Sequence, residues 1–328
     1  MDSGTTSCGH AVNPRTPILR WANSVIERKP EKHRTDRSVQ HIGRDFAVVE
    51  SLERTDQRVG IVLRGGCDLP SAFAAIPLMA DRVKGTVAIA RQGTGSGLGS
   101  HRTDQILQTI NGIEYDGLEE ASKRLNLGEH YFSPRVFVES EFQVDGFPKF
   151  GTFPKSVVVL SIGSDLVRSV YRHKSHGYLV DPGGFWLDSL EGLNQLEPDT
   201  LRWLKTDFEN LGRIDVAEFH RNLGEIVTLL RERLGAHLIV YNALVFDPGS
   251  RHHNYQLLRP AQTLRRREFN VALSDLSRTH DFHVVDIDSI LKHGGVREQV
   301  DFAHFSAEQA APIGAEFYRI LRTLEVVD

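Results

Sequence analysis

From residue 59 onward, short apolar runs recur along the chain: Val59-Gly60-Ile61-Val62-Leu63, Thr86-Val87-Ala88-Ile89-Ala90, Val157-Val158-Val159-Leu160, Leu238-Ile239-Val240-Tyr241 and His283-Val284-Val285-Asp286. Each is rich in β-branched residues and lacks strict alternation, the pattern of strands buried on both faces. Helix-length segments lie between and after them, at 69–82, 101–127 in pieces, 196–234 in pieces, 259–280 and 307–324. In the last, Ala310, Ile313, Phe317, Ile320 and Leu321 share one stripe, and Ser306 with Gln309 forms a capping-box start. Alternating strands and helices predict a three-layer α/β/α sandwich around a mainly parallel sheet of five strands.

Residues 1–58 carry no such pattern and read as a polar leader, with 17–26 as a short helix at most. The run from Glu27 to Arg37 mixes charges without an apolar period, as a solvated linker does. The body is then 59–328, with two long insertions at about 112–150 and 166–235. Links this long inside one domain often form lids, and their aromatic residues (Tyr115, Tyr131, Phe132 and Phe150 in the first, Tyr171, Trp186 and Trp203 in the second) suit the walls of a cleft.

Composition narrows the function. Asp plus Glu number 43 against 39 Lys plus Arg, a formal charge of -4 over 328 residues, which argues against nucleic acid as a partner. No apolar stretch reaches membrane-spanning length, and no signal-peptide order opens the chain, so the expectation is a cytoplasmic protein away from the membrane. Two cysteines, Cys8 and Cys67, are too few for a disulfide framework or a Cys-rich zinc site, and neither metal nor organic cofactor is expected. The oligomeric state is not legible.

In a parallel sheet the ligand edge lies at the strand C-termini. Two groups of residues stand there with matching chemistry. Asp301-Phe302-Ala303-His304 precedes the final helix, and a carboxylate three residues ahead of a histidine can orient the imidazole and stabilise its protonated form. After the first strand comes Arg64-Gly65-Gly66-Cys67-Asp68-Leu69. The glycines permit a sharp turn, and a cysteine at a helix entrance has its thiol pKa lowered towards the reactive thiolate. Backbone N–H groups of that turn could hold an oxyanion.

The arrangement resembles the SGNH (GDSL-type) hydrolase superfamily. Gly65-Gly66-Cys67 stands where that family has Gly-Asp-Ser, with Cys in place of the Ser nucleophile. Gly93, Gly95 or Gly97 follows the second strand, Ile162-Gly163-Ser164-Asp165 stands in place of Gly-x-Asn-Asp, and Asp301 with His304 matches the closing Asp-x-x-His. The resemblance implies a flavodoxin-like sheet and a hydrolase or acyltransferase working through a Cys67–His304–Asp301 triad and a covalent acyl-enzyme. The substrate would be an ester or thioester, small or bound to a carrier protein. It also implies an oxyanion and substrate set drawn from Gly66, Gly93, Gly95, Ser164, Asp165 and Asn242. Ser164 or Asn242 would replace the missing Asn donor, which an ionised Asp165 could not do. The other reading is a degenerate member that binds an acyl or glycosyl ligand without turnover.

Three further features have plainer readings. The loop Gly93–Gly99 lacks the spacing of a phosphate cradle. His252-His253-Asn254-Tyr255 reads as a surface loop, with substrate contact as the alternative. Arg265-Arg266-Arg267 reads as a solvated face or internal ion pairs, with a docking patch for an acidic carrier as the alternative.

Overall fold

The structure is a computed structural model that describes residues 46–51, 58–65, 69, 85–89, 102–125, 127, 132, 134–138, 141–143, 152–182, 197–254, 257–297, 299–301 and 304–326. Four of the expected strands form a parallel core: β2 (Arg58–Arg64), β5 (Thr152–Ser161), β9 (His237–Tyr241) and β12 (His283–Val285). They lie side by side in the order β12-β9-β5-β2.

The outer edge differs from the expected order. β1 (Phe46–Ser51), within the stretch read as a polar leader, pairs antiparallel with β2 on one side and with β3 (Gly85–Ile89) on the other. β3 therefore still runs in the direction of β2, but one position further out. A short β4 (Glu141–Gln143) adds antiparallel to the first residues of β5, Thr152–Pro154.

Strand alternation divides the core into two layers. Ile61, Leu63, Val157, Val159, Ile239, Tyr241 and Val285 face one way, onto Ile313, Phe317, Ile320 and Leu321 of the last helix, Ala307–Thr323. Val62, Val158, Leu160, Leu238 and Val240 face the other way, onto helices Thr103–Asn111, Val216–Leu234 and Thr263–His280. These helices are numbered in chain order: α1 (Thr103–Asn111), α2 (Leu118–Leu125), α3 (Arg135–Val138), α4 (Gly163–Val167), α5 (Pro198–Asp207), α6 (Val216–Leu234), α7 (Thr263–His280), α8 (Ile287–His293) and α9 (Ala307–Thr323). Ser306 caps α9 as its sequence foretells: its Oγ accepts from the Gln309 N–H at 3.1 Å, and the Gln309 side chain accepts from the Ser306 N–H at 3.0 Å. The layered α/β/α class is thus borne out. The helix expected at 69–82 lies outside the described residues except for Leu69, which is helical.

The two insertions meet. β6 (Val170–His173) pairs with β7 (Leu179–Val180) and β8 (Phe208–Gly212) in a small sheet of its own. Ala121, Leu125 and Phe132 from the first insertion share an apolar cluster with Tyr171, Tyr178, Val180, Leu204 and Phe208 from the second. Buried polar contacts bolt this unit to the body. Within the second insertion Arg168 pairs with Asp181 at 2.7 Å, both nearly solvent-free. The Arg102 guanidinium donates to the carbonyls of Arg168 at 3.0 Å and Gly212 at 2.5 Å.

Candidate active site

The Asp301–His304 pair forms as a unit. His304 Nδ1 lies 2.7 and 2.9 Å from the two carboxylate oxygens of Asp301, and the His304 backbone N–H donates to the same carboxylate at 2.9 Å. Both residues are buried, and Phe305 beside them belongs to the core layer under α9. A carboxylate on Nδ1 places the proton there in the neutral ring and leaves Nε2 as the nitrogen that exchanges a proton. The Val300 N–H donates to the His304 carbonyl at 3.0 Å, which holds the backbone at the two ends of the pair together.

The turn after β2 is fixed at its first residue. Gly65 has φ +155°, and a Cβ there would lie 2.7 Å from Ser161 Cβ and 2.9 Å from Ser161 N, so the turn closes directly against the end of β5. Only glycine permits that approach. Beyond it, Leu69 is fully packed in the same core layer as Phe305. Gly66, Cys67, Gly93 and Gly95 lie outside the described residues.

After β5, the Ser161 hydroxyl accepts from the Gly163 N–H at 3.1 Å and opens α4. Ser164 is buried with its Oγ lacking a hydrogen-bond partner. Asp165 is committed elsewhere: its Oδ1 accepts from the Thr103 N–H at 2.9 Å and the Thr103 hydroxyl at 2.8 Å, joining α4 to the start of α1. Burial, opposed by those hydrogen bonds, pushes its carboxyl up to about 7, so it is not the fully ionised group that the sequence suggests.

Asn242 is likewise engaged. Its Nδ2 donates to Asp286 at 2.7 Å and its Oδ1 accepts from the Asp288 N–H at 3.3 Å, tying the end of β9 to the start of α8.

The segment after β9 is more ordered than a surface loop. β10 (Arg251–Asn254) and β11 (Leu257–Pro260) form a hairpin. His252 in it is buried at 7% exposure, its ring centroid 3.7 Å from that of Phe246, and its Nε2 lacks a partner. Burial first, and then the positive charge of Arg266, push the imidazole down to about 4, while Asp301 acts in the opposite direction. Near Asp301 in sequence, Gln299 also has a buried side-chain oxygen without a partner. Nothing in the local sequence singles out Gln299, whereas His252 stands in a segment already noted for possible substrate contact.

The arginine triplet points mainly inward. Arg265 donates to the carbonyls of Leu166 at 2.9 Å, Asp165 at 2.7 Å and Ile214 at 2.5 Å. Arg266 donates to the Leu244 carbonyl at 3.0 Å and lies over the Phe246 ring. Only Arg267 of the three is exposed, which removes the basis for a docking patch. No described helix is long and apolar enough to cross a membrane.

No family model and no curated protein matches the chain. Among solved structures it is similar to the native aryl esterase of M. smegmatis, at 13% identity and a TM-score of 0.32 over 52% of this chain and 62% of that one. It is also similar to a candidate SGNH hydrolase from Slackia heliotrinireducens, at 10% identity and a TM-score of 0.37 over 79% of this chain and 96% of that one. A third likeness is to a peptidoglycan O-acetylesterase, at 14% identity and a TM-score of 0.27 over 52% of this chain and 38% of that one. The chain thus spans 62% of the aryl esterase's length, and similarities this low concern the chain trace and carry no information on substrate.

Proposed function

We propose that the protein is a hydrolase or acyltransferase of the SGNH type that acts on an ester or thioester through Cys67, His304 and Asp301. The observation that carries this reading is the buried Asp301–His304 pair, with both carboxylate oxygens on Nδ1. A salt-linked histidine of this kind, at the ligand edge of a parallel sheet, is what a proton shuttle for acyl transfer requires. In the proposed step the Cys67 thiol gives its proton to His304 Nε2 as its sulfur bonds the acyl carbon. The alcohol or thiol leaves with that proton. Water, or an acceptor alcohol or amine, then releases the acyl group by the same route in reverse. Asp301 stabilises the imidazolium at each stage. Ser164, whose buried Oγ has no partner, is better suited than Asn242 to add a hydrogen bond to the oxyanion, because both ends of the Asn242 amide are engaged. The acyl donor is small or carrier-bound, and the setting is cytoplasmic.

The test combines p-nitrophenyl acetate hydrolysis with labelling by an electrophilic thiol probe, in wild type, Cys67→Ala and His304→Ala. Wild type should release p-nitrophenol with a burst and label at Cys67. Cys67→Ala should do neither, and His304→Ala should label far more slowly. Turnover that persists in Cys67→Ala removes the cysteine nucleophile. Absence of turnover in wild type favours a ligand-binding protein without catalysis.

A further inference from the structure

Three buried polar atoms without partners follow three successive strands of the parallel core: Ser164 Oγ after β5, His252 Nε2 after β9 and Gln299 Oε1 after β12. An unsatisfied buried polar atom costs about 1–3 kcal/mol, so each calls for a reason. Ser164 is absorbed by the oxyanion role proposed above. His252 is not.

The surroundings of His252 define what it can do. Its ring leans on Phe246, whose other contact of note is the Arg266 guanidinium 4.6 Å from the ring centroid. Phe246 and Phe305, the residue after His304, belong to one apolar layer. The backbone leading to the hairpin is pinned by Asp288, whose Oδ1 accepts from the Val245 N–H at 2.7 Å. The imidazole therefore has a fixed place, an apolar wall and a cation nearby, and Asp301 lies within electrostatic reach. With burial and Arg266 both opposing protonation, the ring stays neutral at ordinary pH, carrying one N–H and one lone pair.

We propose that His252 Nε2 is a specificity-determining atom that hydrogen-bonds an uncharged polar group of the acyl substrate, a hydroxyl or an amide. This rests on the catalytic reading above and adds a substrate class to it. A neutral imidazole can donate or accept one hydrogen bond, which matches a hydroxyl or amide, and it brings no charge with which to hold a carboxylate or phosphate.

Three p-nitrophenyl esters test it: the acetate, the glycolate and the N-acetylglycinate, which share a leaving group and differ in the polar group of the acyl part. Wild type should favour the glycolate or the N-acetylglycinate over the acetate by about five- to tenfold in kcat/KM, mostly through KM. His252→Phe keeps the ring against Phe246 and should erase that preference. His252→Gln, whose amide reaches the position of Nε2, should keep part of it. A preference that survives in His252→Phe overturns the inference, and so does a fall in kcat shared equally by all three esters. Binding is read separately from the His252 imidazole NMR signal, assigned by its loss in His252→Gln and titrated with glycolamide and N-acetylglycinamide. A shift in a protein that turns over no ester supports the subsite and removes the proposed chemistry. No shift in a protein that turns over all three removes the subsite alone.

Discussion

Burial moves two titrating side chains in opposite directions. Asp165 is raised from 3.8 to about 7, so the folded protein keeps a proton that the unfolded chain has lost over that range. Its contribution to stability is therefore present in acid and lost as pH climbs through about 7. His252 is lowered from 6.5 to about 4, so its contribution is present above 6.5 and lost as pH falls towards 4. The two oppose one another between about pH 4 and 6.5, and only Asp165 still titrates from there through about 7. Asp165→Asn keeps an oxygen for both Thr103 hydrogen bonds and has no proton to lose. The variant should gain melting temperature relative to wild type near pH 8 and gain less near pH 5, by calorimetry at both. A difference independent of pH would mean that Asp165 stays ionised throughout. Little of this was legible in the residues themselves. Ser-Asp after the third expected strand reads as a site motif, but the partner that claims the carboxylate, Thr103, is 62 positions away. By contrast the Asp301–His304 pair is local, and its three-residue spacing already states the contact.

At the scale of elements, the last helix is the most predictable part of the chain, because its signals are all its own: a capping serine, a reciprocal glutamine and an apolar stripe on one face. Ser306→Ala removes the hydroxyl that satisfies the Gln309 N–H and should cost about 1 kcal/mol, measured by urea unfolding. An unchanged midpoint would show that the reciprocal bond from Ser306 N–H to the Gln309 side chain suffices. The hairpin of β10 and β11 was hidden for the converse reason. Tyr255 and Gln256 separate its paired ends, Asn254 and Leu257, and carry none of the Asn-Gly or Gly-containing signature that marks a two-residue turn. The helix α8 between the last strand and the Asp301–His304 pair is likewise illegible in sequence, because seven residues are too few for a periodic stripe to stand out.

On the scale of the whole molecule, parts of the two expected insertions share one small core, whereas Val216–Leu234, read as the end of the second, packs on the main sheet. The joint core is largely aromatic, and a buried ion pair braces the second insertion from within. Arg168 and Asp181 have almost no access to water, so removing one partner strands the other charge. Asp181→Asn should cost about 3–5 kcal/mol, while Arg168→Met combined with Asp181→Leu should recover much of it, measured as paired denaturation curves. A single variant at wild-type stability would show the pair to be dispensable. The strands of the parallel core are legible in the apolar runs, but the strand at 46–51 is hidden in the polar stretch around it, since six residues gain their meaning from neighbours on both sides. That intervening ribbon has a practical consequence. A shortened chain trimmed to begin at Leu52 would leave Gly85–Ile89 without a mate and the outer rim of Arg58–Arg64 bare. Bare rims recruit copies of themselves, so such a trimmed protein would clump before it simply melted sooner.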